Sequence, residues 1–254
     1  MTMPSAAFRP QQPIQPIQGL ALRPMRAPAA PAARRPATVS APVPAVGDDL
    51  FALGAETQTL VRDEALFYEG DDADIVYRIV EGMVRISILL ADGRRHIVDF
   101  LHPGDIIGLA PGDTHAHTAE AVTPVTLSRM PRARLDTAMK QRPAVARKLF
   151  AAMQADLVAA HDRLLLLGRK SVMERLASFL LILRSRQPVS GMAGTVRLPM
   201  GRTDIADYLG LTIETVSRTI TKMRTAGLIQ LVDTYQVIIL DPERLARLAA
   251  GTTE

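Results

Sequence analysis

The sequence predicts an α+β protein in which a small antiparallel β-roll or barrel leads into a long helix and then into a helix-turn-helix closed by a β-hairpin. Three observations predict it. Short runs of branched residues alternate with turn signals between about residues 59 and 130. An apolar residue recurs every three or four positions from Leu149 to Leu167. Beyond Arg202, two short amphipathic segments flank a glycine and are followed by two short β-type runs.

The β part rests on Ile75 to Val80, Val84 to Leu89, His96 to Leu101 and Val122 to Leu127, all strand-length and rich in branched residues. Asp92-Gly93, Pro103-Gly104, Pro111-Gly112, Gly70 and Gly82 punctuate them, the spacing of a small antiparallel roll assigned to residues 49–136. Residues 1–48 hold ten of the eighteen prolines and the near-repeat Pro13-Ile14-Gln15-Pro16-Ile17-Gln18, so a disordered Pro/Ala-rich tail is expected there. Its arginines, Arg9, Arg23, Arg26, Arg34 and Arg35, fit a transit peptide in charge, but the prolines oppose the amphipathic helix such a peptide needs.

After Pro131 the pattern turns helical. From Pro143 to Leu167 the apolar positions are Leu149, Met153, Leu157, Ala160, Leu164 and Leu167, a coiled-coil spacing. The stripe extends for roughly 30 Å at about 1.5 Å per residue, which favours a two-helix dimer seam over a helix resting only on its own roll; residues 137–168 are read as this dimerisation helix. A second helix, Ser171 to Arg184, follows a break at Gly168, with Val172, Leu176, Phe179, Leu180 and Leu183 on one face. It opens a last domain, 169–254, which continues through a turn at 187–194 and a strand from Thr195 to Leu198.

Composition excludes several chemistries. The chain has no cysteine, which removes disulfides, thiolate metal sites, cysteine-bound iron–sulfur clusters and cysteine nucleophiles. No run approaches the 18 or so apolar residues of a membrane span, so no membrane partner is expected. The net charge of +4 is unevenly spread: residues 49–130 carry 6 basic and 14 acidic side chains, whereas 131–168 carry 7 and 3 and 169–254 carry 12 and 8. Only the central region would be repelled by a polyanion. His115-Ala116-His117, with His96 and His102, lacks a third ligand at helical spacing and is read as ordinary loop histidines, with no metal site. Asp71, Asp72 and Asp74 lack the glycine and distal glutamate of a calcium loop and are read as a solvated turn.

The segment from Arg202 to Arg218 carries the chemistry. Gly210 suits the left-handed residue that a tight inter-helix turn requires, and Thr212 suits an N-cap. Ile205, Ala206, Leu209, Leu211, Val216 and Ile220 supply the contacts that lock the two helices. On the second helix Glu214, Ser217, Arg218 and Thr221 share one face. A polar stripe is ordinarily a solvated surface, but these types match base edges: arginine donates twice to guanine, glutamate accepts from cytosine, serine does either. Thr203, Thr215, Thr219 and Lys222 lie where phosphate contacts would orient the helix. Gly227 ends the helix, and Leu228 to Val232 pairs with Val237 to Leu240 as a wing. Helix, glycine turn, helix and hairpin in this order point to double-stranded DNA as partner.

The run Asp204 to Arg218, with Leu209-Gly210-Leu211-Thr212 and then Glu214-Thr215-Val216-Ser217-Arg218, resembles the Crp/Fnr superfamily and in particular its Fnr and FixK branch. The likeness extends from about Thr59 to Leu240. It implies a cyclic-nucleotide-binding-like β-roll, a long dimerisation helix and a winged helix, acting as a homodimeric bacterial transcription regulator, an activator that meets RNA polymerase. It further implies a cytoplasmic, nucleoid-associated location and a palindromic operator with TTGAT-like half-sites read by Glu214, Ser217 and Arg218, with Arg202 on phosphate.

The departures narrow what the resemblance carries. Without cysteine the cluster-based oxygen sensing of Fnr cannot operate. Where the cyclic AMP branch has a glutamate after its cassette glycine, Gly108 is followed by Leu109, and the later loop reads His115-Ala116-His117-Thr118 in place of an arginine pair. No cofactor is therefore expected, and what remains resembles FixK-type control of low-oxygen or nitrogen-fixation genes. Two rival functions stay open: a ligand-gated sensor of the same superfamily, binding haem or an organic effector, and a β-roll regulatory protein that binds no DNA. No nucleophile, acid–base pair or glycine-rich phosphate loop suggests an enzyme.

Overall fold

Strands β1 (Glu56–Leu60), β2 (Ala65–Phe67), β3 (Ile75–Glu81), β4 (Val84–Leu89), β5 (Arg95–Leu101), β6 (Ile106–Ile107), β7 (Thr118–Ala121) and β8 (Val125–Pro131) form two four-stranded antiparallel sheets, ordered β1-β8-β3-β6 and β2-β7-β4-β5. This computed structural model describes residue 51 and residues 56–109, 112–187 and 194–252. The Pro/Ala-rich tail read at 1–48, most of the turn at 187–194, and Pro111 lie outside the described residues.

β7 and the first half of β8 bury every second residue, while β3 and β4 are buried on both faces at Val76-Tyr77 and Val84-Arg85; Ile79, Val84, Ala119, Ala121, Val125 and Leu127 fill the space between the sheets. One run divides differently from the sequence expectation. Val122 to Leu127 is broken at Thr123-Pro124, and the chain passes there from β7 in one sheet to β8 in the other. Gly82 makes the β3–β4 turn possible: its φ is +92°, and a Cβ there would fall 2.3 Å from the Pro124 carbonyl oxygen.

Helix α1 (Arg132–Gln141) follows directly and crosses the expected boundary at 136/137; α2 (Pro143–Arg169) starts with proline at its first turn. Leu149 on α2 joins Phe51, Val76, Met130 and Leu135 in a small core beneath the roll. α2 does not break at Gly168 but runs through it to Arg169. The break comes at Lys170, where Ser171 caps α3 (Val172–Arg186) in a reciprocal capping box with Glu174.

The C-terminal part comprises α3, β9 (Thr195–Arg197), α4 (Arg202–Leu209), α5 (Ile213–Thr225), β10 (Ile229–Leu231), β11 (Gln236–Ile239) and α6 (Pro242–Ala250). Its core, built on Leu176, Phe179, Leu183, Ile205, Leu209, Val216, Met223 and Ile229, is continuous with Met83, Ile97, Phe100 and Val122 of the roll. The winged helix is thus packed on the roll rather than tethered to it. α6 has no counterpart in the sequence expectation; it packs along α3 and closes this core with Leu245 and Ala249. Among the described residues no helix is long and apolar enough to cross a membrane.

His102, after β5, is buried, and neither of its ring nitrogens has a hydrogen-bond partner among the described residues. Burial lowers its pKa below the ordinary value of 6.5, although Asp105 and Asp99 oppose that effect and Arg186 reinforces it. The unfolded chain therefore binds the proton more readily, so stability contributed at this site is full above about pH 6.5 and falls as pH drops below it. His102→Leu is expected to flatten that acid-side slope and to stabilise the fold by about 1 kcal/mol near pH 5.5, since an unsatisfied buried polar group is removed. Thermal melts between pH 5.5 and 7.5 measure it; a variant less stable than its parent at every pH contradicts it.

Candidate nucleic-acid interface

The reading head is assembled around one turn. α4 ends at Gly210 in the left-handed conformation, φ 63° and ψ 42°, and the Leu211 N–H returns to the Ala206 carbonyl at 3.0 Å. Thr212 then caps α5, its hydroxyl accepting from the Thr215 N–H at 3.3 Å. Ile205, Ala206, Leu209, Val216 and Ile220 are buried between the helices and Leu211 is packed against them. Sequence reasoning missed Arg175. Its guanidinium donates to the carbonyls of Leu209, Lys170 and Leu167 at 3.0, 3.0 and 2.8 Å, pinning the turn to the ends of α2 and α3.

With Val216, Thr219, Ile220 and Met223 facing the core, α5 turns Glu214, Ser217, Arg218, Thr221 and Lys222 to solvent. Glu214, Ser217 and Arg218 form one exposed surface over the first half of the helix. The Glu214 carboxyl is held below its ordinary pKa by its own backbone N–H and by the Thr212 hydroxyl, so it is an ionised acceptor at neutral pH. Lys222 and Arg224 lie in the last turn, where cations complement the helix dipole.

The expected phosphate contacts divide. Thr203 and Lys222 are exposed, and Thr215 is partly exposed with its hydroxyl 3.0 Å from that of Thr212. Arg202 is half-buried at the start of α4, one terminal nitrogen lacks a partner among the described residues, and burial lowers its pKa. Thr219 does not belong with them. It is 5% exposed and its hydroxyl donates to the Thr215 carbonyl one turn back at 2.7 Å, so it cannot reach phosphate. Lys222→Ala is accordingly expected to weaken binding to all duplexes alike and reduce the salt slope by about 1 for each chain bound, whereas Thr219→Val leaves that slope unchanged. Salt-dependent anisotropy titrations check both; a lower slope in Thr219→Val contradicts the assignment.

Strands β10 and β11 pair antiparallel, Ile229 opposite Ile239, and β9 completes a three-stranded sheet beside α5. Tyr235 and Val232 stand exposed at the wing tip.

The seam residues also divide. Met153, Leu157 and Leu164 are more than half exposed, as are Phe150, Val158 and Leu165, giving α2 an uncovered apolar flank about 20 Å long. Ala160 is partly exposed. Leu149 is buried in the core beneath the roll, and Leu167 packs on the winged-helix core; neither is free to form the seam. Phe150, adjacent to Leu149, supplies the exposed position instead.

In the roll, a Cβ on Gly108 would fall 2.7 Å from the Ile75 carbonyl oxygen, so glycine is dictated there by close chain approach. Leu109 packs on the core beneath the roll, and His115 stacks on Phe67 with ring centroids 3.4 Å apart. No group of three or more histidine, aspartate or glutamate side chains able to hold a metal ion occurs among the described residues. Asp71 caps the Tyr68 N–H at 2.7 Å, as a turn residue does.

Comparison with known proteins agrees with this architecture. Residues 57–142 match the cyclic nucleotide-binding domain and residues 174–248 the Crp-like helix-turn-helix domain. The transcriptional activatory protein AadR of Rhodopseudomonas palustris is 45% identical over 189 residues, 74% of this chain and 79% of that protein. This chain belongs to the Crp/Fnr family, in its FixK-like branch. The nitrogen fixation regulation protein FixK of Rhizobium meliloti is 41% identical over 82% of this regulator and 90% of its own length. The solved structure of FixK2 from Bradyrhizobium japonicum superposes with a TM-score of 0.73 at 41% identity, covering 77% of this chain and 98% of that one. These relatives are transcription regulators, and a Crp-like helix-turn-helix makes this chain a DNA-binding regulator rather than an enzyme.

Proposed function

We propose that this regulator acts as a homodimer, joined along α2, that binds a palindromic operator with TTGAT-like half-sites and activates transcription through contact with RNA polymerase. Glu214, Ser217 and Arg218 read bases; Arg202, Thr203, Thr215 and Lys222 hold the sugar–phosphate backbone. The observation that carries it is the division of α5 into a buried stripe and an exposed stripe bearing an acid, a hydroxyl and a guanidinium. The uncovered flank formed by Phe150, Met153, Leu157 and Leu164 supports the dimer, since an apolar strip of that length is seldom left to water.

The regulator works in the bacterial cytoplasm, at the nucleoid, on low-oxygen or nitrogen-fixation genes; the names of FixK and AadR support an activator of this kind. It needs no cyclic nucleotide or other cofactor: Leu109 and His115 occupy the loop with packed rings and alkyl groups where a phosphate would need donors. One observation favours ligand gating as a second reading, a cavity of about 200 Å³ lined by Phe100, Leu166, Phe179, Leu183 and Tyr208.

Anisotropy titration of untreated protein against a duplex with two inverted TTGAT half-sites tests both. Tight binding at two chains per duplex, far above a scrambled duplex, is expected. Binding that appears only after an effector is added favours the second reading, and equal affinity for both duplexes overturns the first.

A further inference from the structure

The first helix of the reading head is gripped by the roll through buried charge. Asp204 of α4 is 7% exposed and accepts from Arg95 of β5 at 2.5 Å and from Arg85 of β4 at 3.4 Å. Arg95 also donates to Asp207 at 2.9 Å. Arg85, itself buried, is held by Glu120 of β7 at 3.1 Å and by Asp63 at 3.0 Å, so its orientation is fixed before Asp204 meets it. One turn along α4, Tyr208 is wedged between Phe100 of β5 and Phe179 of α3, each ring 5.4 Å away.

The geometry divides α4 into two working faces. Asp204, Asp207 and Tyr208, spaced i, i+3 and i+4, meet the roll and α3, while Ile205, Ala206 and Leu209 meet α5. Whatever fixes α4 on the roll therefore fixes α5. Apolar packing tolerates small sliding, but paired charge-assisted hydrogen bonds are directional and hold one register. A buried ion cluster is a poor source of net stability because desolvation offsets most of its attraction. Orientation is what it supplies.

We infer that Asp204, gripped by Arg85 and Arg95, is a positioning residue that sets the spacing between operator half-sites without touching DNA. This rests on the proposed palindrome-binding dimer. α2 carries the dimer flank and is tied to the same strand, Arg163 pairing with Asp99 of β5, so one link from dimer axis to recognition helix passes through β5, beside the one that Arg175 makes between the end of α2 and the inter-helix turn. Each base pair added between half-sites moves one of them by about 3.4 Å and about 34°. A rigid head cannot follow both displacements; a head released from Asp204 can.

The test uses duplexes with constant half-sites and spacers altered by one or two base pairs in either direction. Wild type should lose at least about tenfold in affinity for a one-base-pair change, because the geometry no longer allows both heads to engage. Asp204→Asn, which keeps the shape and removes the charge, should compress that loss to within about threefold while base substitutions inside a half-site cost what they did before. Arg95→Gln, on the more exposed partner, should give the same relaxation and carries the test if Asp204→Asn does not fold. A folded variant whose spacing profile is unchanged, or whose affinity drops equally at every spacing, overturns the inference. If wild type does not prefer the palindrome at all, the proposed function fails instead.

Discussion

Replacing Leu157 and Leu164 together by glutamate is expected to convert the operator-binding dimer into a folded monomer with roughly 10²-fold or greater loss of operator affinity. Both side chains are more than half exposed in the isolated chain, so charge there leaves the fold intact. In the paired state each would be enclosed between helices, and an unpaired buried carboxylate costs several kcal/mol. Sedimentation and anisotropy read the two effects separately. Leu166→Glu serves as the contrast: Leu166 is 3% exposed in the chain's own core, and its substitution should lower the melting temperature first. A Leu157→Glu, Leu164→Glu protein that still sediments as a dimer would place the interface elsewhere.

Arg218→Ala is expected to remove discrimination at the guanine of each half-site, costing about 1 to 3 kcal/mol there. With two half-sites engaged at once the loss is incurred twice, and the four bases at that position should become nearly equivalent. Arg218 is exposed and its removal creates no cavity, so folding is not the variable. The measurement is a competition series in which the guanine is replaced by each other base. Undiminished preference for guanine in Arg218→Ala would mean that α5 enters the groove in another orientation.

Much of the reading head was legible because its determinants are local. The left-handed Gly210, the Thr212 cap and the buried set from Ile205 to Ile220 all act within one or two helical turns. Thr219 departs from the phosphate role its polarity suggests because of its phase: it lies three residues after Val216 and one before Ile220, on the inward stripe, where a hydroxyl satisfied by the carbonyl one turn back is acceptable. On α2 the exposed seam starts one residue later than the heptad spacing predicts. Leu149 and Leu167 turn toward their own chain, and the exposed strip starts at Phe150.

The expected break at Gly168 gave a lone glycine more weight than the Ser171-x-x-Glu174 capping pattern three residues later. α6 carried its own signals in Asp241, Pro242 and the left-handed Gly251. The clamp formed by Arg85, Arg95, Asp204 and Asp207 had no such signal. Its partners lie more than a hundred residues apart, so no periodicity or spacing joins them before the chain folds.

Selection of bound duplexes from a random pool tests the central claim most directly. The bound fraction should be enriched in two inverted TTGAT-like half-sites with centres about one helical turn, roughly 10 base pairs, apart. Enrichment of a single unrepeated motif, or none above the starting pool in modest salt, would contradict a paired molecule reading DNA through Glu214, Ser217 and Arg218.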